Sequence, residues 1–372
     1  MDEKKICYIT YQTFPANTAN SQQTISNIKY LIRNGCHVNL VFPLREIQSS
    51  SETSALREQY GFNEKLDISG LSHKYPFGKF NKLNKIFFHI SHYFWSKKAV
   101  NKILRSQKEF DLFFTRSDWI FYFLTKKNKK VIFECHQISK IRTVILKKCL
   151  KKPNSKVIFL NKYLREYFSA YINNKNSIVL HNGVDLEEFK EENKKNKEIV
   201  YVGSLERFNE DRGVEFIING YTHSNISDKY KLKIIGGPNH LAKKLKERVK
   251  KNNPSLNIEI TGRLVRDETV KNIMNAEVGI LLNTSKNQHS VFYTSPLKYF
   301  EYLISDLKII GVDFPSHRAL PYSEDITFFE ENNLNSLIDA FNKLLDKNIV
   351  SKESKEFSLD TRAKNIIKFI NI

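Results

Sequence analysis

The sequence predicts an α/β protein with two domains, and three observations support this fold class. The chain has 372 residues, which is enough for two hydrophobic cores. Its first half opens with a strand at 5–11, a helix at about 21–34 and a second strand at 37–43, the order of a parallel α/β unit. After a highly charged segment at 187–198, a strand at 198–204 begins a second series of such units. Ligands of such sheets gather at the carboxyl ends of the strands.

The composition is that of an ordinary folded protein. Hydrophobic residues make up 41% and charged residues 27% of the chain, which excludes a disordered polypeptide. Apolar runs such as 119–124 fall far short of the roughly 20 residues that cross a bilayer. The charged N-terminus runs directly into a strand, so we expect no signal peptide and a cytoplasmic location.

The four cysteines lack the spacing of a metal site. We expect reduced thiols that fill the core. They are Cys7, Cys36, Cys135 and Cys149.

The net charge of +20 favours anionic partners, namely nucleic acid, anionic lipid headgroups or phosphorylated substrates. Basic and aromatic residues alternate in segment 75–104. That mixture suits a membrane interface, where rings lie at headgroup depth and cations meet anionic lipid. It also suits single-stranded nucleic acid, which the sequence favours less, or a helix with buried rings and solvated lysines. The residues are Phe77, Phe80, Ile86, Phe87, Phe88, Tyr93, Phe94, Trp95, Lys79, Lys82, Lys85, Lys97, Lys98 and Lys102.

Two places in the first half are candidate sites. The loop at 14–21 has no Gly-x-Gly-x-x-Gly fingerprint, and its Asn20 and Ser21 either cap the following helix or supply donors to a ligand. His136 ends the strand at 130–136, and Glu134 shares its face and can orient the imidazole. A structural role for His136 stays open. We predict a polar, mobile loop at 44–72.

In the second half, the segment 294–318 predicts a helix followed by a strand. Ser295 suits the N-cap and Pro296 the first turn. Lys298 lies in the first turn, where a cation opposes the helix dipole, which suggests that an anion binds there. One turn later, Glu301 can accept hydrogen bonds from sugar hydroxyls. The alternative is a capped helix with a solvated lysine and glutamate.

This segment resembles the nucleotide-sugar-binding segment of family-4 glycosyltransferases of the GT-B fold. The matching residues are Thr-Ser-Pro-Leu-Lys-Tyr-Phe-Glu at 294–301 and Asp-Phe-Pro-Ser-His-Arg at 313–318. His-Asn-Gly-Val-Asp at 181–185 is similar to the family's turn at the domain joint. The resemblance covers nearly the whole chain. It implies two Rossmann-like domains that face each other across a cleft: an acceptor-binding domain at 1–186, a nucleotide-sugar-binding domain at 187–355, and a helix at 356–372 that crosses back.

The resemblance also implies roles for individual residues. His136 would contact the transferred sugar, Glu301 the ribose, and Arg212, with Arg207, the departing diphosphate. The other implied donor-binding residues are Asn20, Ser21, Gly262, Arg263, Ser295, Pro296, Leu297 and Lys298. Two positions depart from the family pattern: Tyr293 replaces a glutamate, which puts the choice of donor in question, and Ser204 replaces a cation.

The implied activity is a retaining, hexosyltransferase-type transfer from a nucleotide sugar to a glycan or lipid-linked saccharide in surface polysaccharide biosynthesis. It needs no cofactor and no metal, and the sequence has no Asp-x-Asp pair for Mg²⁺. The basic first domain would bring the enzyme to the inner face of a membrane. Two alternatives remain open: a nucleotide-sugar epimerase of the same fold, and a non-catalytic basic protein that binds nucleic acid or anionic lipid.

Overall fold

The computed structural model describes residues 4–16, 18–74, 84–190, 194–207, 210–252, 254–348 and 354–371. The chain divides into two compact units. Unit 1 comprises Met1–Leu180 and Leu359–Ile372, and unit 2 comprises His181–Ser358. These boundaries lie a few residues from the predicted ones.

Unit 1 is built on a seven-stranded parallel sheet in the order β3-β2-β1-β4-β5-β6-β7. Its central strands are buried along their whole length, as expected when helices cover both faces of a parallel sheet. The strands are β1 (Lys4–Ile9), β2 (Cys36–Leu44), β3 (Asp67–Ser72), β4 (Leu112–Thr115), β5 (Val131–Cys135), β6 (Ser155–Phe159) and β7 (Ser177–Val179).

Helices connect these strands. They are α1 (Ala19–Arg33), α2 (Thr53–Tyr60), α3 (Asn84–Arg105), α4 (Asp118–Lys126), α5 (Lys140–Cys149) and α6 (Lys162–Tyr167), followed by a 3-10 turn at Ser169–Tyr171. The prediction of a mobile loop at 44–72 was wrong, because α2 and β3 occupy about half of it. The strand pairs in parallel with β2, so backbone hydrogen bonds at the sheet edge order a polar segment that has no strong apolar pattern.

Unit 2 is built on a six-stranded parallel sheet in the order β12-β11-β8-β13-β14-β15, with a small antiparallel hairpin of β9 and β10 beside it. The strands are β8 (Glu198–Val202), β9 (Glu206–Arg207), β10 (Glu210–Asp211), β11 (Lys231–Ile235), β12 (Ile258–Gly262), β13 (Val278–Leu281), β14 (Lys308–Val312) and β15 (Ile326–Phe329).

The helices of unit 2 pack on both faces of this sheet, in two separate clusters of buried apolar side chains. The helices are α7 (Val214–Thr222), α8 (Asn239–Asn252), α9 (Arg266–Asn275), α10 (Leu297–Ile304), α11 (Pro315–Arg318) and α12 (Leu334–Asp346). Short helical turns lie at Leu186–Phe189, Asn225–Asp228, Ser323–Asp325 and Ser354–Phe357, and a π-helical turn lies at His289–Tyr293.

The last helix, α13 (Leu359–Asn371), returns to unit 1. Leu359, Ala363, Ile366 and Phe369 recur at helical spacing and are buried in the core of unit 1. All four cysteines are buried free thiols, in agreement with the prediction. Among the described residues, no helix combines the length and apolar character needed to cross a membrane.

Candidate functional site

The start of α10 in unit 2 is fixed by a hydrogen bond from elsewhere in the unit. The amide Nδ2 of Asn182 donates to the carbonyl oxygen of Ser295 over 2.6 Å. Pro296, not Ser295, is the N-cap residue, because its ψ of 124° is extended and the helix begins only at Leu297. Ser295 therefore lies one residue too early to cap the helix. Its buried hydroxyl has no hydrogen-bond partner among the described residues.

Lys298 in the first turn of α10 reaches the carboxyl end of β8. Its ammonium lies 4.5 Å from the centre of the Tyr201 ring. A Cβ atom placed on Gly203 would lie 2.7 Å from that nitrogen, so glycine leaves room for the lysine. The predicted alternative of a simply solvated lysine does not fit this packing, since Lys298 is half-buried against a strand end.

Glycines bring the ends of three neighbouring strands together. A Cβ atom on Gly236, after β11, would lie 1.7 Å from the carbonyl oxygen of Gly203, after β8. Gly262 at the end of β12 has a φ of +80°, which favours glycine. The following amide, of Arg263, donates to Asn239 Oδ1 over 2.9 Å, while the Arg263 side chain is exposed. The predicted Gly262-Arg263 turn thus lies at the same sheet edge as Lys298.

Arg212 is the second cation of this edge. It is buried, and its Nη2 donates to the carbonyl oxygen of Leu282, just after β13. Its Nε has no hydrogen-bond partner among the described residues. The main chain of Arg207 lies in β9, but the prediction for its side chain falls outside the part of the chain that the structure describes.

His317 on α11 packs against the carboxyl end of β14 and lies within the electrostatic influence of both cations. It is buried, and its Nδ1 lies 2.8 Å from the carbonyl oxygen of Val312. Burial, as the largest cause, and the charges of Lys298 and Arg212 together lower the pKa of His317 to about 4. The ring is therefore neutral at pH 7, with the proton on Nδ1. Both cations are close enough to act on one imidazole, so positive charge is concentrated at this sheet edge.

Glu301 has an ionic partner that sequence analysis missed. Its Oε1 lies 2.7 Å from Nη1 of Arg266 at the start of α9, and the same guanidinium donates two hydrogen bonds to Glu188 Oε2 over 2.6 and 2.9 Å. Burial raises the pKa of Glu188, although Arg266 opposes this. The sequence contained one signal of this contact. Arg266 follows soon after the Gly262-Arg263 turn, so the helix that it opens begins near the same sheet edge.

In unit 1, His136 directly follows β5 and is held on both sides. Its Nε2 is hydrogen-bonded to Glu134 Oε1, the contact that strand alternation predicts, and its Nδ1 lies 2.9 Å from Nη2 of Arg116. Burial and the charge of Arg116 lower the pKa of His136 to about 3, against the opposing effect of Glu134. The neutral ring donates from Nε2 to the carboxylate and accepts at Nδ1 from the guanidinium. Both ring nitrogens are therefore engaged.

Glu134 is the centre of this network. Its second oxygen, Oε2, lies 2.9 Å from Nη2 of Arg362 on α13, whose Nη1 donates to Asn27 Oδ1 over 2.8 Å. Burial alone would raise the pKa of Glu134, but Arg362, His136 and Arg116 hold it well below its usual range. Sequence analysis missed both arginines. Arg116 could have been found, because it is the first residue after β4, the neighbour of β5.

The structure favours the capping role for Ser21. Helix α1 begins at Ala19, earlier than predicted, with Thr18 as its N-cap residue. The buried Ser21 hydroxyl donates to the carbonyl oxygens of Ala16 and Thr18, at 2.6 and 2.8 Å. It is therefore engaged in the helix start, whereas the Asn20 side chain is exposed. Within the described residues, no group of three or more His, Cys, Asp or Glu side chains could hold a metal ion.

Buried histidines should make the protein sensitive to acid. Burial is the main cause that lowers the pKa of His92 and His136 to about 3 and that of His73 and His317 to about 4. A histidine in the unfolded chain has a pKa of about 6.5. Below that pH the unfolded chain takes up protons that the folded chain does not, so stability is complete above pH 6.5 and is lost as the pH falls towards 4.

His92→Phe tests this expectation. The His92 ring stacks on Tyr11 at a centroid distance of 4.5 Å, and its Nε2 has no hydrogen-bond partner among the described residues. We expect the free energy of unfolding of the variant, relative to that of the original chain, to rise by about 2 kcal/mol when the pH is lowered from 7 to 5. Urea unfolding at both pH values measures this difference. His240→Phe, on the exposed surface of α8, is the control and should show no such gain. An equal effect of His92→Phe at both pH values would contradict the prediction.

The two parallel sheets and their helices form the GT-B fold of glycosyltransferases. No protein-family model matches the sequence, and no curated protein matches it. Among solved structures, a glycosyltransferase from Rickettsia africae ESF-5 is similar with a TM-score of 0.66 and 13% identity, covering 100% of this chain and 98% of that one.

Two other solved structures are similar over nearly their whole length. An α,α-trehalose 6-phosphate synthase from Burkholderia multivorans has a TM-score of 0.66 at 10% identity, covering 99% of this chain and 98% of that chain. The N-terminal domain of a trehalose-6-phosphate phosphatase from Candida albicans has a TM-score of 0.65 at 13% identity, covering 99% of this chain and 93% of that chain. At such identities the likeness establishes the fold, and the activity must be argued from the site.

Proposed function

We propose that the protein is a glycosyltransferase that moves a hexose from a nucleotide-sugar donor to a glycan or lipid-linked saccharide. One observation carries the proposal: two cations lie at the carboxyl edge of the unit 2 sheet, with Lys298 packed on the Tyr201 ring of β8 and Arg212 bonded to the carbonyl oxygen that follows β13. We assign the start of α10 to the same site, together with the buried Ser295 hydroxyl, which has no hydrogen-bond partner among the described residues. Together they supply what a departing nucleoside diphosphate requires.

The donor diphosphate is the proposed ligand of this edge. The positive end of the helix dipole at the start of α10 favours an anion there. The unused Nε–H of Arg212 and the ammonium of Lys298 can bond phosphate oxygens and stabilise the charge that develops on the leaving group. Neutral His317 adds no positive charge of its own, and its Nδ1–H bond to Val312 holds the ring in place.

The nucleoside is proposed to lie towards β12 and α9. Gly262 leaves the end of β12 without a side chain, and Arg263 is exposed beside it. The carboxylate of Glu301 can accept hydrogen bonds from ribose hydroxyls. Because Arg266 holds one of its oxygens in place, the carboxylate is oriented before the ribose binds.

His136 is proposed to contact the transferred sugar. Because Glu134 and Arg116 occupy both ring nitrogens, a sugar hydroxyl must share or displace one of these bonds. Three parts of the proposal rest on the sequence resemblance at 294–301 and 313–318. They are retention of anomeric configuration, independence of metal and a role in surface polysaccharide biosynthesis.

A thermal-shift screen of nucleoside diphosphates is the first test. We expect one of them to raise the melting temperature, and the matching nucleotide sugar to be hydrolysed slowly without acceptor and consumed faster with added glycan. An epimerase would convert the sugar without releasing the nucleotide. If no nucleotide stabilises the protein while RNA does, the proposal fails.

A further inference from the structure

The helices α3, α4 and α5 of unit 1 present a surface without exposed acidic groups. Together they contain a single acidic residue, Asp118, which is buried and paired with Arg142 over 2.6 Å. Exposed lysines lie on all three helices, and no ion pair joins them to an acidic side chain among the described residues. They are Lys97, Lys98, Lys102, Lys126, Lys140 and Lys148. This surface therefore concentrates the positive charge of unit 1.

Exposed apolar side chains lie among these lysines. Ile86, Ile90 and Phe94 of α3 are 57%, 44% and 48% exposed, and their spacing of four residues places them in a row on one helix face. On α5, Val144 is 66% exposed, one turn before Lys148. Single exposed apolar side chains are common, but a row of large ones marks an interaction surface.

Half-buried aromatic rings join the three helices into one surface, here called the aromatic–basic face. The Tyr93 ring of α3 meets the rings of Trp119 and Phe123 of α4 at centroid distances of 4.9 and 5.2 Å. The ammonium of Lys148 on α5 lies 5.4 Å from the Tyr122 ring of α4. The face is therefore continuous across α3, α4 and α5. Residues 75–83 of the basic–aromatic segment lie outside the described residues, and the face does not depend on them.

We propose that the aromatic–basic face docks on an anionic membrane surface. Isoleucine and phenylalanine can enter the acyl boundary, tyrosine and tryptophan suit headgroup depth, and lysines bind the lipid phosphates while their stems cover apolar surface. The proposal goes beyond glycosyl transfer, because it concerns binding alone and holds for any activity of the site.

The composition of the face favours lipid over the other occupants. Single-stranded nucleic acid binds by stacking on open ring faces, whereas Tyr93 and Trp119 are engaged with each other and Ile86 and Ile90 offer no ring at all. A second copy of the chain would bring two surfaces of the same charge together. An anionic membrane satisfies both the charge and the aliphatic row.

Co-sedimentation of the full chain with vesicles tests the proposal. We expect binding to vesicles of phosphatidylglycerol and phosphatidylcholine in equal parts, and weak binding to phosphatidylcholine alone. Removing one lysine should weaken partitioning about fivefold, so Lys97→Glu with Lys98→Glu should weaken it more than tenfold. Ile90→Ser with Phe94→Ser should weaken binding also at high salt, where charge contributes little.

The matched control is Lys243→Glu with Lys244→Glu, the same charge change on exposed positions of α8 in unit 2. It should retain binding. If its binding to anionic vesicles falls as much as that of the Lys97 and Lys98 variant, the net charge of the protein explains the binding and the proposal is overturned.

Phe94→Trp provides a direct report of insertion. Its fluorescence should shift to the blue on vesicles and be quenched by brominated lipid beyond the level of the original chain. Each of three results would overturn the proposal. They are the absence of a fluorescence shift, preferential binding of an RNA oligonucleotide that prevents vesicle binding, and dimerisation that the Ile90 and Phe94 variant abolishes. Circular dichroism spectra that match that of the original chain would show that the variants are folded.

Discussion

Arg212→Gln is expected to lower kcat about 10²- to 10³-fold with a much smaller change in the KM for the donor. Arg212 is proposed to bond the diphosphate most strongly as it departs, when its charge increases. The shorter glutamine gives up the bond from Nη2 to the carbonyl oxygen of Leu282, so urea unfolding is measured beside the kinetics to show that the variant is folded. Steady-state kinetics with the nucleotide sugar identified by thermal shift measure the effect.

Two further variants make this result specific. Arg212→Lys keeps the charge but loses the forked guanidinium, so we expect an activity between those of the glutamine variant and the original enzyme. Arg248→Gln removes an exposed guanidinium of the same unit, paired with Glu215, and should leave kcat unchanged. If Arg212→Gln behaves like Arg248→Gln, the diphosphate does not bind at Arg212.

Local patterns predicted the helix start at the candidate anion site to within one residue, while anion binding there stays a prediction. The Ser-Pro-Leu-Lys segment at 295–298 indicated a helix start that favours an anion, and the structure places Lys298 beside a strand end. The exact cap could not be predicted, because whether Pro296 is the last extended or the first helical residue depends on Asn182, 113 positions away. The structure favours helix capping for Ser21, since a serine at this position satisfies its own helix start, and its role as a ligand donor stays a prediction.

The ionic partners of the candidate residues could not be read from the sequence. Glu301 and Glu188 share Arg266 only because α10, α9 and the turn at Leu186–Phe189 pack together in unit 2. Arg362 reaches Glu134 from 228 positions away, because α13 returns to unit 1. A buried charge requires a partner, and the tertiary fold decides which residue lies close enough to be that partner. Hydrophobic periodicity therefore predicts the sheet and its functional edge, but not the ion pairs that fix each side chain.

Glu134→Gln is expected to lower the free energy of unfolding by about 3–5 kcal/mol, the usual cost of removing one partner of a buried ion pair. The glutamine is nearly the same size and can still accept the hydrogen bond from His136 Nε2. It leaves the guanidinium groups of Arg116 and Arg362 without their shared countercharge, however. Urea unfolding at pH 7 measures the loss, and Glu166→Gln, on the exposed side of α6, should change stability by less than about 0.5 kcal/mol.

The pair with Arg362 can be isolated by combining substitutions. Arg362→Gln with Glu134→Gln should be less destabilising than the sum of the single variants by about 0.5–3 kcal/mol, since the double variant leaves one unpaired guanidinium fewer. If the effects simply add, Arg362 does not depend on Glu134. A Glu134→Gln enzyme that is as stable as the original but slower would point elsewhere: the carboxylate would then serve mainly to hold the His136 ring, and the network would be part of the reaction rather than of the fold.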